Sequence, residues 1–260
     1  MSAGRNAVIT GSTSGIGRGI ALKLASDGAR VMINGFGEDA EIADLLSELE
    51  KLSGKKPIYS PADMSDPTQI AAMMKLAENE LGGVDIMMNN AGIQFVSPIE
   101  DFPTDKWNQI IAINLSSAFH TTKAVVTGMK SRGWGRIINL ASAHSLVASP
   151  YKSAYVAAKH GIVGLTKTAA LEVAEFGVTV NAVSPGYVLT PLVEAQIPAT
   201  AKARGISEDQ VMRDVMLAPQ PIKKFVDIED VAATVAFLCS DAAKGITGSN
   251  MTIDGGWTAQ

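Results

Sequence analysis

The sequence contains little cysteine, few aromatic residues and little charge. Cys239 is the single cysteine in 260 residues, so an intrachain disulfide is excluded and a reducing compartment is expected. Charged residues make up 18% and the net charge is −4, without a run of more than two Lys or Arg residues. Such a composition offers no footprint for a nucleic acid and no basic patch for a membrane. No apolar run reaches membrane-spanning length, and the start of the chain reads as a strand rather than a signal peptide, so we expect a cytoplasmic protein.

Small and apolar residues are abundant instead. Hydrophobic residues make up 47% of the chain and aromatic residues 5%, a balance typical of a large sheet covered by alanine-rich helices. A chain of this length ordinarily forms one α/β domain. Short apolar runs predict buried strands at Asn6–Thr10, Val31–Asn34, Pro57–Ser60, Val84–Met88, Ile137–Leu140, Val178–Val183 and Asn250–Asp254. Helical spacing predicts helices at Arg18–Ser26, Ala40–Leu52, Gln69–Leu81, Lys106–Met129, Tyr151–Ala174 and Asp230–Leu238.

One segment lacks this regular periodicity. Between residues 187 and 221 the pattern is irregular, and short helical pieces are interrupted by Pro191, Pro198, Pro219 and Pro221. A long excursion of this kind in a compact domain is usually a lid or a binding loop. The sequence therefore predicts a single domain over residues 1–260 with a substrate lid at about 187–221.

A glycine-rich turn lies between the first strand and the first helix. Gly11, Gly15 and Gly17 have the spacing G-x-x-x-G-x-G. Glycines let the backbone approach a pyrophosphate, and the helix N-terminus presents free N–H groups to it. A lone glycine turn is often only structural, but the strand–turn–helix context favours a dinucleotide.

The end of the second strand bears on the choice of dinucleotide. An acidic residue there favours NAD and a nearby arginine favours NADP. The chain has Asn34, Gly35, Phe36 and Gly37 at this point, and Ser14 in the glycine turn carries no charge. Because no cation is placed to meet a 2′-phosphate, we expect NAD.

Three residues suggest acid/base chemistry. Tyr155 and Lys159 are four apart in a predicted helix and share one of its faces, and Ser142 follows the apolar run Ile137–Leu140. A phenol is a poor base at neutral pH, and a nearby ammonium would lower its pKa. The serine hydroxyl would hold the oxygen of a substrate beside the phenol. A Tyr-x-x-x-Lys pair alone is a weak motif, so its weight comes from Ser142 and the glycine turn.

Further polar residues follow other predicted strands. Asp63 could accept hydrogen bonds from an adenine, although a loop role is as plausible, and Asn114 lies among apolar neighbours in a predicted helix. His120 and His160 have no companions at metal-ligand spacing, so no metal site is predicted.

Together these motifs resemble the short-chain dehydrogenases/reductases. The likeness covers essentially the whole chain and rests on Thr10-Gly11-x3-Gly15-x-Gly17, Asn89-Asn90-Ala91-Gly92, Asn114, Ser142, Tyr155-x3-Lys159 and Pro185-Gly186. It implies an α/β fold: a single doubly wound Rossmann domain with a seven-stranded parallel sheet and a helical substrate lid.

The resemblance also implies a role for each catalytic residue. Tyr155 would be the general acid/base, Lys159 would lower its pKa and hold the nicotinamide ribose, Ser142 would orient the reacting oxygen, and Asn114 would sustain a proton-relay water. The cofactor would be lined by Gly11, Thr13, Gly15, Ile16, Gly17, Phe36, Asp63, Asn90, Ala91, Gly92, Tyr155, Lys159, Pro185, Gly186, Val188 and Thr190.

Within the family the chain resembles members that oxidise a small hydroxy acid, which implies reversible NAD-dependent oxidation of (R)-3-hydroxybutyrate to acetoacetate. The substrate would be bound by Gln94, Ser142, His144, Lys152, Tyr155, Gln196 and Trp257. Lys152 and His144 would form a paired cationic site for the carboxylate, with Lys152 on the same helical face as Tyr155. Tyr187 stands where a tryptophan is expected in close relatives, which leaves the pocket wall aromatic.

Two alternatives stay open. One is a reductase of a different ketone, such as a 3-oxoacyl reductase, and the other is a non-catalytic protein that senses NAD(H). The resemblance further implies a homotetramer, with the helices Tyr151–Ala174 and Lys106–Met129 buried between subunits.

Overall fold

A parallel sheet organises the chain. The computed structural model describes residues 4–259. Within that range seven strands form one sheet in the order β3-β2-β1-β4-β5-β6-β7, and every neighbouring pair is parallel. The strands are β1 (Asn6–Ile9), β2 (Arg30–Asn34), β3 (Ile58–Ser60), β4 (Ile86–Asn89), β5 (Gly135–Leu140), β6 (Val178–Pro185) and β7 (Asn250–Ile253). The predicted seven-stranded parallel sheet is confirmed.

Helices cover both faces of the sheet. They are α1 (Gly15–Ser26), α2 (Asp39–Ser53), α3 (Pro67–Leu81), α4 (Thr104–Ile111), α5 (Ser117–Arg132), α6 (Ser153–Val173), α7 (Pro191–Glu194), α8 (Gln196–Arg204), α9 (Glu208–Gln210) and α10 (Ile228–Leu238). Among residues 4–259 no helix is long and apolar enough to cross a membrane.

The core lies on the two faces of the sheet. Successive side chains of a strand point to opposite faces. In β1, Ile9 accordingly packs with Leu24 and the helices α1 and α10, whereas Val8 packs with Met73 and the helix α3 on the other face. Cys239 belongs to the first of these clusters, and burial raises the pKa of its thiol to about 12, so it stays protonated.

Two boundaries differ from the prediction in ways that affect the site. The predicted helix Lys106–Met129 is interrupted by a π-helical turn at Ala112–Ser116, between α4 and α5. Hydrophobic periodicity does not reveal such a turn, since its neighbours keep helical dihedral angles. Lys152 lies before the helix α6 rather than within it, in a non-helical backbone conformation.

The segment 187–221 is more helical than its prolines suggested. It contains α7, α8 and α9, followed by a π-helical turn at Val211–Met216. Pro191 is the first residue of α7, and Pro198 is in the first turn of α8, where the missing N–H leaves no helical bond unmade. These two prolines therefore lie in helix starts and do not interrupt the helices.

The topology leaves a crevice at one edge of the sheet. The strand order reverses between β1 and β4, and α1 and α5, which follow these strands, belong to different core clusters. In open α/β sheets the ligand site lies beyond the carboxyl ends of the strands at such a point.

Candidate active site

A cavity of about 370 Å³ lies in this crevice. Loops that follow β1, β2, β3, β4, β5 and β6 all contribute to its wall. Of the residues predicted to bind cofactor or substrate, only Gln94 is absent from that wall, and the predicted catalytic Asn114 is also absent. The fold therefore brings together, on one cavity wall, predicted residues that are far apart in the chain.

The glycine turn is closely packed around its own backbone. Gly11 and Gly15 have φ angles of 59° and 54°, which favour glycine. A Cβ atom on Gly17 would lie 2.3 Å from the carbonyl oxygen of Gly11 and 2.4 Å from Nδ2 of Asn90. A side chain at Gly17 would therefore collide with the neighbouring backbone and with Asn90. We call the turn Gly11–Gly17, which exposes mainly backbone, the cradle.

The helix α1 points its N-terminus into the cradle. Its N-cap, Ser14, makes no side-chain capping hydrogen bond, and its first turn contains no acidic residue. The first N–H groups of the helix therefore keep their positive polarity for a ligand. This chemistry fits the pyrophosphate of a dinucleotide.

Asn90 holds the cradle in place. Its Nδ2 donates to the carbonyl oxygens of Thr10 at 2.9 Å and of Gly11 at 2.7 Å. Its backbone N–H donates to Oγ1 of Thr10 at 3.0 Å. The end of β4 is thereby tied to the end of β1, and the two neighbouring predicted residues, Ala91 and Gly92, line the cavity beside it.

The end of β2 faces the far part of the cavity. The Asn34 side chain is buried, accepts from the Gly11 N–H at 3.2 Å and donates to the carbonyl oxygens of Ser60 and Ala62. The Asn34 amide therefore joins the segments that follow β1 and β3. The Phe36 ring is 68% exposed beside the cavity, and Thr13 Oγ1 donates to its carbonyl oxygen at 2.7 Å.

The acid/base residues project from α6. Lys159 is buried, and its Nζ donates to the carbonyl oxygen of Leu140 at 2.5 Å. The same Nζ lies 5.6 Å from the centre of the Tyr155 ring. The predicted pair therefore shares one helical face and borders the cavity.

Burial dominates the electrostatics of this pair. Loss of solvent raises the pKa of Tyr155 to about 12, and a hydrogen bond with the Ser142 hydroxyl opposes that shift. Loss of solvent lowers the pKa of Lys159 to about 8. The sequence predicts that the Lys159 ammonium lowers the pKa of the Tyr155 phenol. This prediction is wrong, because the net shift of that pKa is upward. Tyr155 is therefore protonated at neutral pH.

Ser142 begins a short turn directly after β5. Its Oγ accepts from the His144 N–H at 3.2 Å and lies 3.5 Å from Nδ1 of the same histidine. The strand fixes its backbone, and the turn directs its hydroxyl to Tyr155. Ser142 and Tyr155 therefore lie side by side on the cavity wall, as predicted.

Asn114 lies just behind that wall. It is buried in the π-helical turn, where its Oδ1 accepts from the Ile93 N–H and its Nδ2 donates to the Ile93 carbonyl oxygen, both at 2.9 Å. The Asn114 amide therefore makes the two hydrogen bonds with the Ile93 backbone that a neighbouring strand would otherwise make. The unusual helical turn is what brings Asn114 into reach of that loop.

His144 is buried beside aromatic rings. Its ring centre is 5.0 Å from Trp257, 6.0 Å from Tyr155 and 6.2 Å from Tyr187. Burial, and then the charge of Lys152, lower the pKa of His144 to about 3, so it is neutral at physiological pH. The expectation of two cations at the substrate site is therefore wrong, since Lys152 and a neutral imidazole stand there.

Lys152 reaches the cavity from the turn before α6. Its ammonium is buried and donates to Oη of Tyr187 at 3.1 Å. Burial, and then the charge of Arg204, lower its pKa to about 8. The ammonium is thus the predominant form at neutral pH, at a place with little water to screen it.

The remaining predicted substrate residues differ in position. Trp257 stacks on Tyr187 with ring centres 5.5 Å apart. Gln196, in α8, borders the cavity, and its Nε2 donates to the carbonyl oxygen of Leu192 at 2.9 Å. Gln94 does not border it, and both polar atoms of its amide are buried without a hydrogen bond to any described residue.

The sequence predicts Tyr187 in an aromatic pocket wall, and it does line the cavity. Nothing in a single sequence shows that its hydroxyl accepts a hydrogen bond from Lys152. Other lining residues without a predicted role are Ser14, Ala62, Met64, Ile93, Ile113, Leu140, Ala141, Pro191, Leu192 and Val193. They are mostly apolar, and no sequence motif marks the residues that form the apolar wall of a cavity.

Comparison with known proteins agrees with this geometry. A family model described as enoyl-(acyl carrier protein) reductase matches residues 11–258. The D-beta-hydroxybutyrate dehydrogenase of Rhizobium meliloti is 59% identical over 256 residues, covering 98% of this chain and 99% of the relative. The D-beta-hydroxybutyrate dehydrogenase of Cupriavidus necator is 52% identical over 261 residues, covering 100% of both chains.

Solved structures share the fold. A variant of actinorhodin polyketide ketoreductase, determined with NADPH, superposes with a TM-score of 0.91 at 32% identity, covering 98% of each chain. The matches extend over the sheet, the cradle and the Tyr155–Lys159 helix alike. The chain therefore belongs to the short-chain dehydrogenase/reductase family, oxidoreductases that bind a nicotinamide cofactor on a Rossmann fold.

Proposed function

We propose that this enzyme catalyses the reversible NAD-dependent oxidation of (R)-3-hydroxybutyrate to acetoacetate. The observation that carries the proposal is the buried Lys152 ammonium in the same cavity as Tyr155 and Ser142. A buried cation needs an anionic partner, and a small hydroxy acid has both a carboxylate for Lys152 and a hydroxyl for Tyr155. The names of the relatives from Rhizobium meliloti and Cupriavidus necator support the same substrate.

The carboxylate would bind at Lys152. A charge-assisted hydrogen bond in a dry site contributes about 1.5–3 kcal/mol, or roughly ten- to a hundredfold in binding. The neutral His144 can add one hydrogen bond, because its buried Nε2 has no partner among the described residues. The Tyr187 and Trp257 rings would cover the short apolar part of the substrate.

The proton would be handled by Tyr155. In ketone reduction the phenol donates its proton to the carbonyl oxygen while Ser142 donates a hydrogen bond to the same oxygen. In alcohol oxidation the hydroxyl proton would pass to the Tyr155 oxygen after the phenol has released its own proton. The Lys159 ammonium, 5.6 Å from the ring centre, would oppose the effect of burial on that release. When bound, the nicotinamide accepts or supplies the hydride at C4. Asn114 would act behind the wall by holding the loop that carries Ile93 and by supporting a proton-relay water.

The cofactor would lie across the cradle. Gly11, Gly15 and Gly17 leave room for the pyrophosphate, and Lys159 would hold the nicotinamide ribose. The other residues proposed to line the cofactor are Thr13, Ile16, Phe36, Asp63, Asn90, Ala91, Gly92, Tyr155, Pro185, Gly186, Val188 and Thr190, all of which border the cavity. The helices of segment 187–221 would close over it as a lid, with Gln196 approaching the substrate.

The alternatives predict different behaviour. A 3-oxoacyl reductase, the activity named for a relative of 36% identity in Staphylococcus epidermidis, acts on a substrate whose carboxyl group is attached to a carrier, so a buried cation has no role there. A non-catalytic sensor of NAD(H) has no use for an acid/base beside the cradle. The presence of Lys152 and Tyr155 together supports the hydroxy-acid dehydrogenase.

The first prediction concerns the substrate. The enzyme should oxidise (R)-3-hydroxybutyrate in preference to its (S) enantiomer, its methyl ester and a bulkier secondary alcohol, measured as NADH absorbance. Lys152→Ala should raise KM for the acid about ten- to a hundredfold and leave the ester nearly unchanged, because the ester has no charge to lose.

Lys202→Ala is the matched control, since Lys202 is an exposed lysine of α8. It should leave both substrates unaffected. A wild-type preference for the ester or for the bulky alcohol would contradict the carboxylate site, while the dehydrogenase class would stand.

The second prediction concerns the cofactor. Among residues 4–259 the charged members of the cavity wall are Asp63, Lys152 and Lys159. The two lysines donate to Tyr187 and to the carbonyl oxygen of Leu140 rather than to the segment that follows β2. We propose NAD because nothing there would neutralise a 2′-phosphate, and kcat/KM with NAD should exceed that with NADP at least about tenfold. Ser14 is an exposed residue of the cradle, and Ser14→Arg would add a cation there for a 2′-phosphate. This variant should therefore narrow the difference in kcat/KM between NAD and NADP. Equal use of NADP by the wild type would contradict the assignment.

The third prediction concerns assembly and location. We propose a homotetramer in the cytoplasm that buries α5 and α6, because Phe119 of α5 is 48% exposed and Leu171 of α6 is 83% exposed. Light scattering at micromolar concentration should give four times the mass of one chain, and Leu171→Glu should shift the distribution to smaller species. A stable wild-type monomer would rule the tetramer out.

A further inference from the structure

Contacts within the protein hold the Tyr187 ring in place. Its backbone N–H donates to Oε1 of Gln220 at 2.8 Å, and its carbonyl oxygen accepts from the Val226 N–H at 2.8 Å. Its ring lies 12° from parallel to Trp257. A side chain held by its backbone and by stacking presents its hydroxyl at one place.

The Lys152 side chain has no comparable support of its own. It has a long flexible stem and follows Tyr151, a residue with a φ angle of 70° that is rare outside glycine. Its bond to the Tyr187 hydroxyl is the one hydrogen bond that its ammonium makes to a described residue. The position of the cation therefore depends on that hydroxyl.

A hydroxyl suits this task better than a charged group. Burial raises the pKa of Tyr187 to about 12, so the group stays neutral and accepts a hydrogen bond without cancelling the charge of Lys152. An ammonium has three N–H donors, and one bond to Tyr187 leaves two for a carboxylate. A carboxylate at position 187 would compete with the substrate, and a tryptophan offers only an N–H donor.

The surroundings of Lys152 make an acceptor important. The Arg204 guanidinium lowers its pKa together with burial, while His144 and Tyr155 are neutral. Within the described part of the chain, none of these groups offers a negative charge to the ammonium. The Tyr187 hydroxyl is thus the hydrogen-bond acceptor that the ammonium has among the described residues.

We propose that the Tyr187 hydroxyl is a positioning residue that holds the Lys152 ammonium ready for the substrate carboxylate. This inference rests on the proposed function, because it assigns a partner to the carboxylate-binding lysine. It predicts that the hydroxyl contributes to the binding of an acid and not to hydride or proton transfer.

Tyr187→Phe tests it, because the variant keeps the stacked ring and removes only the hydroxyl. We expect KM for (R)-3-hydroxybutyrate to rise about tenfold with kcat within about twofold, and the methyl ester to be unaffected. Without its acceptor the ammonium loses its proton at lower pH, so the alkaline fall in kcat/KM for the acid should begin at lower pH than in the wild type.

Tyr151→Phe is the matched control, since its hydroxyl makes no hydrogen bond to a described residue and lies one residue from Lys152. It should behave as the wild type. The double variant Lys152→Ala/Tyr187→Phe provides a second test, which compares it only with Lys152→Ala. Loss of the hydroxyl should not raise KM for the acid any further once the ammonium that it holds is gone.

Equal losses for acid and ester, or wild-type kinetics in Tyr187→Phe, would overturn the inference. Failure of the proposed function gives a different result, because the wild type itself would then not distinguish the acid from the ester. A wild type that prefers the acid and a Lys152→Ala variant that does not, with Tyr187→Phe unchanged, would refute the role of Tyr187 alone.

Discussion

The Lys159 ammonium donates a 2.5 Å hydrogen bond to the carbonyl oxygen of Leu140, the last residue of β5. Ser142 lies two residues beyond that carbonyl group, and Tyr155 lies one helical turn before the lysine. A single buried bond therefore joins the strand end that carries the hydroxyl to the helix that carries the phenol. Because the strand is central in the sheet and the helix is packed on it, the bond transfers the rigidity of the fold to the acid/base residues.

Burial gives the cavity its chemistry as well as its shape. Withdrawal from water raises the pKa of Tyr155 and lowers those of Lys159, Lys152 and His144, so each neutral form becomes more accessible. At neutral pH the phenol is therefore protonated and the imidazole is neutral. The two lysines stay mostly charged at neutral pH and have different partners, a backbone carbonyl oxygen for Lys159 and a phenol hydroxyl for Lys152.

The fold and the candidate catalytic residues could be predicted from the sequence because both leave local patterns. Apolar runs mark the buried parallel strands, the glycine turn follows β1, and Tyr155 and Lys159 are one helical turn apart. What the sequence could not predict depends on contacts between distant segments. The π-helical turn at Ala112–Ser116 is flanked by residues with ordinary helical backbone angles. The neutral state of His144 follows from its burial among the rings of other segments.

The central claim is that Tyr155 transfers the proton, and turnover of Tyr155→Phe tests it most directly. Stopped-flow measurement of NADH formation and consumption should show kcat lower by about 10²–10⁴ in both directions, the usual contribution of a positioned acid/base. The dissociation constant for NADH, measured by fluorescence, should stay within a few fold, because the ring remains in place. Turnover within about twofold of the wild type in Tyr155→Phe would contradict the account.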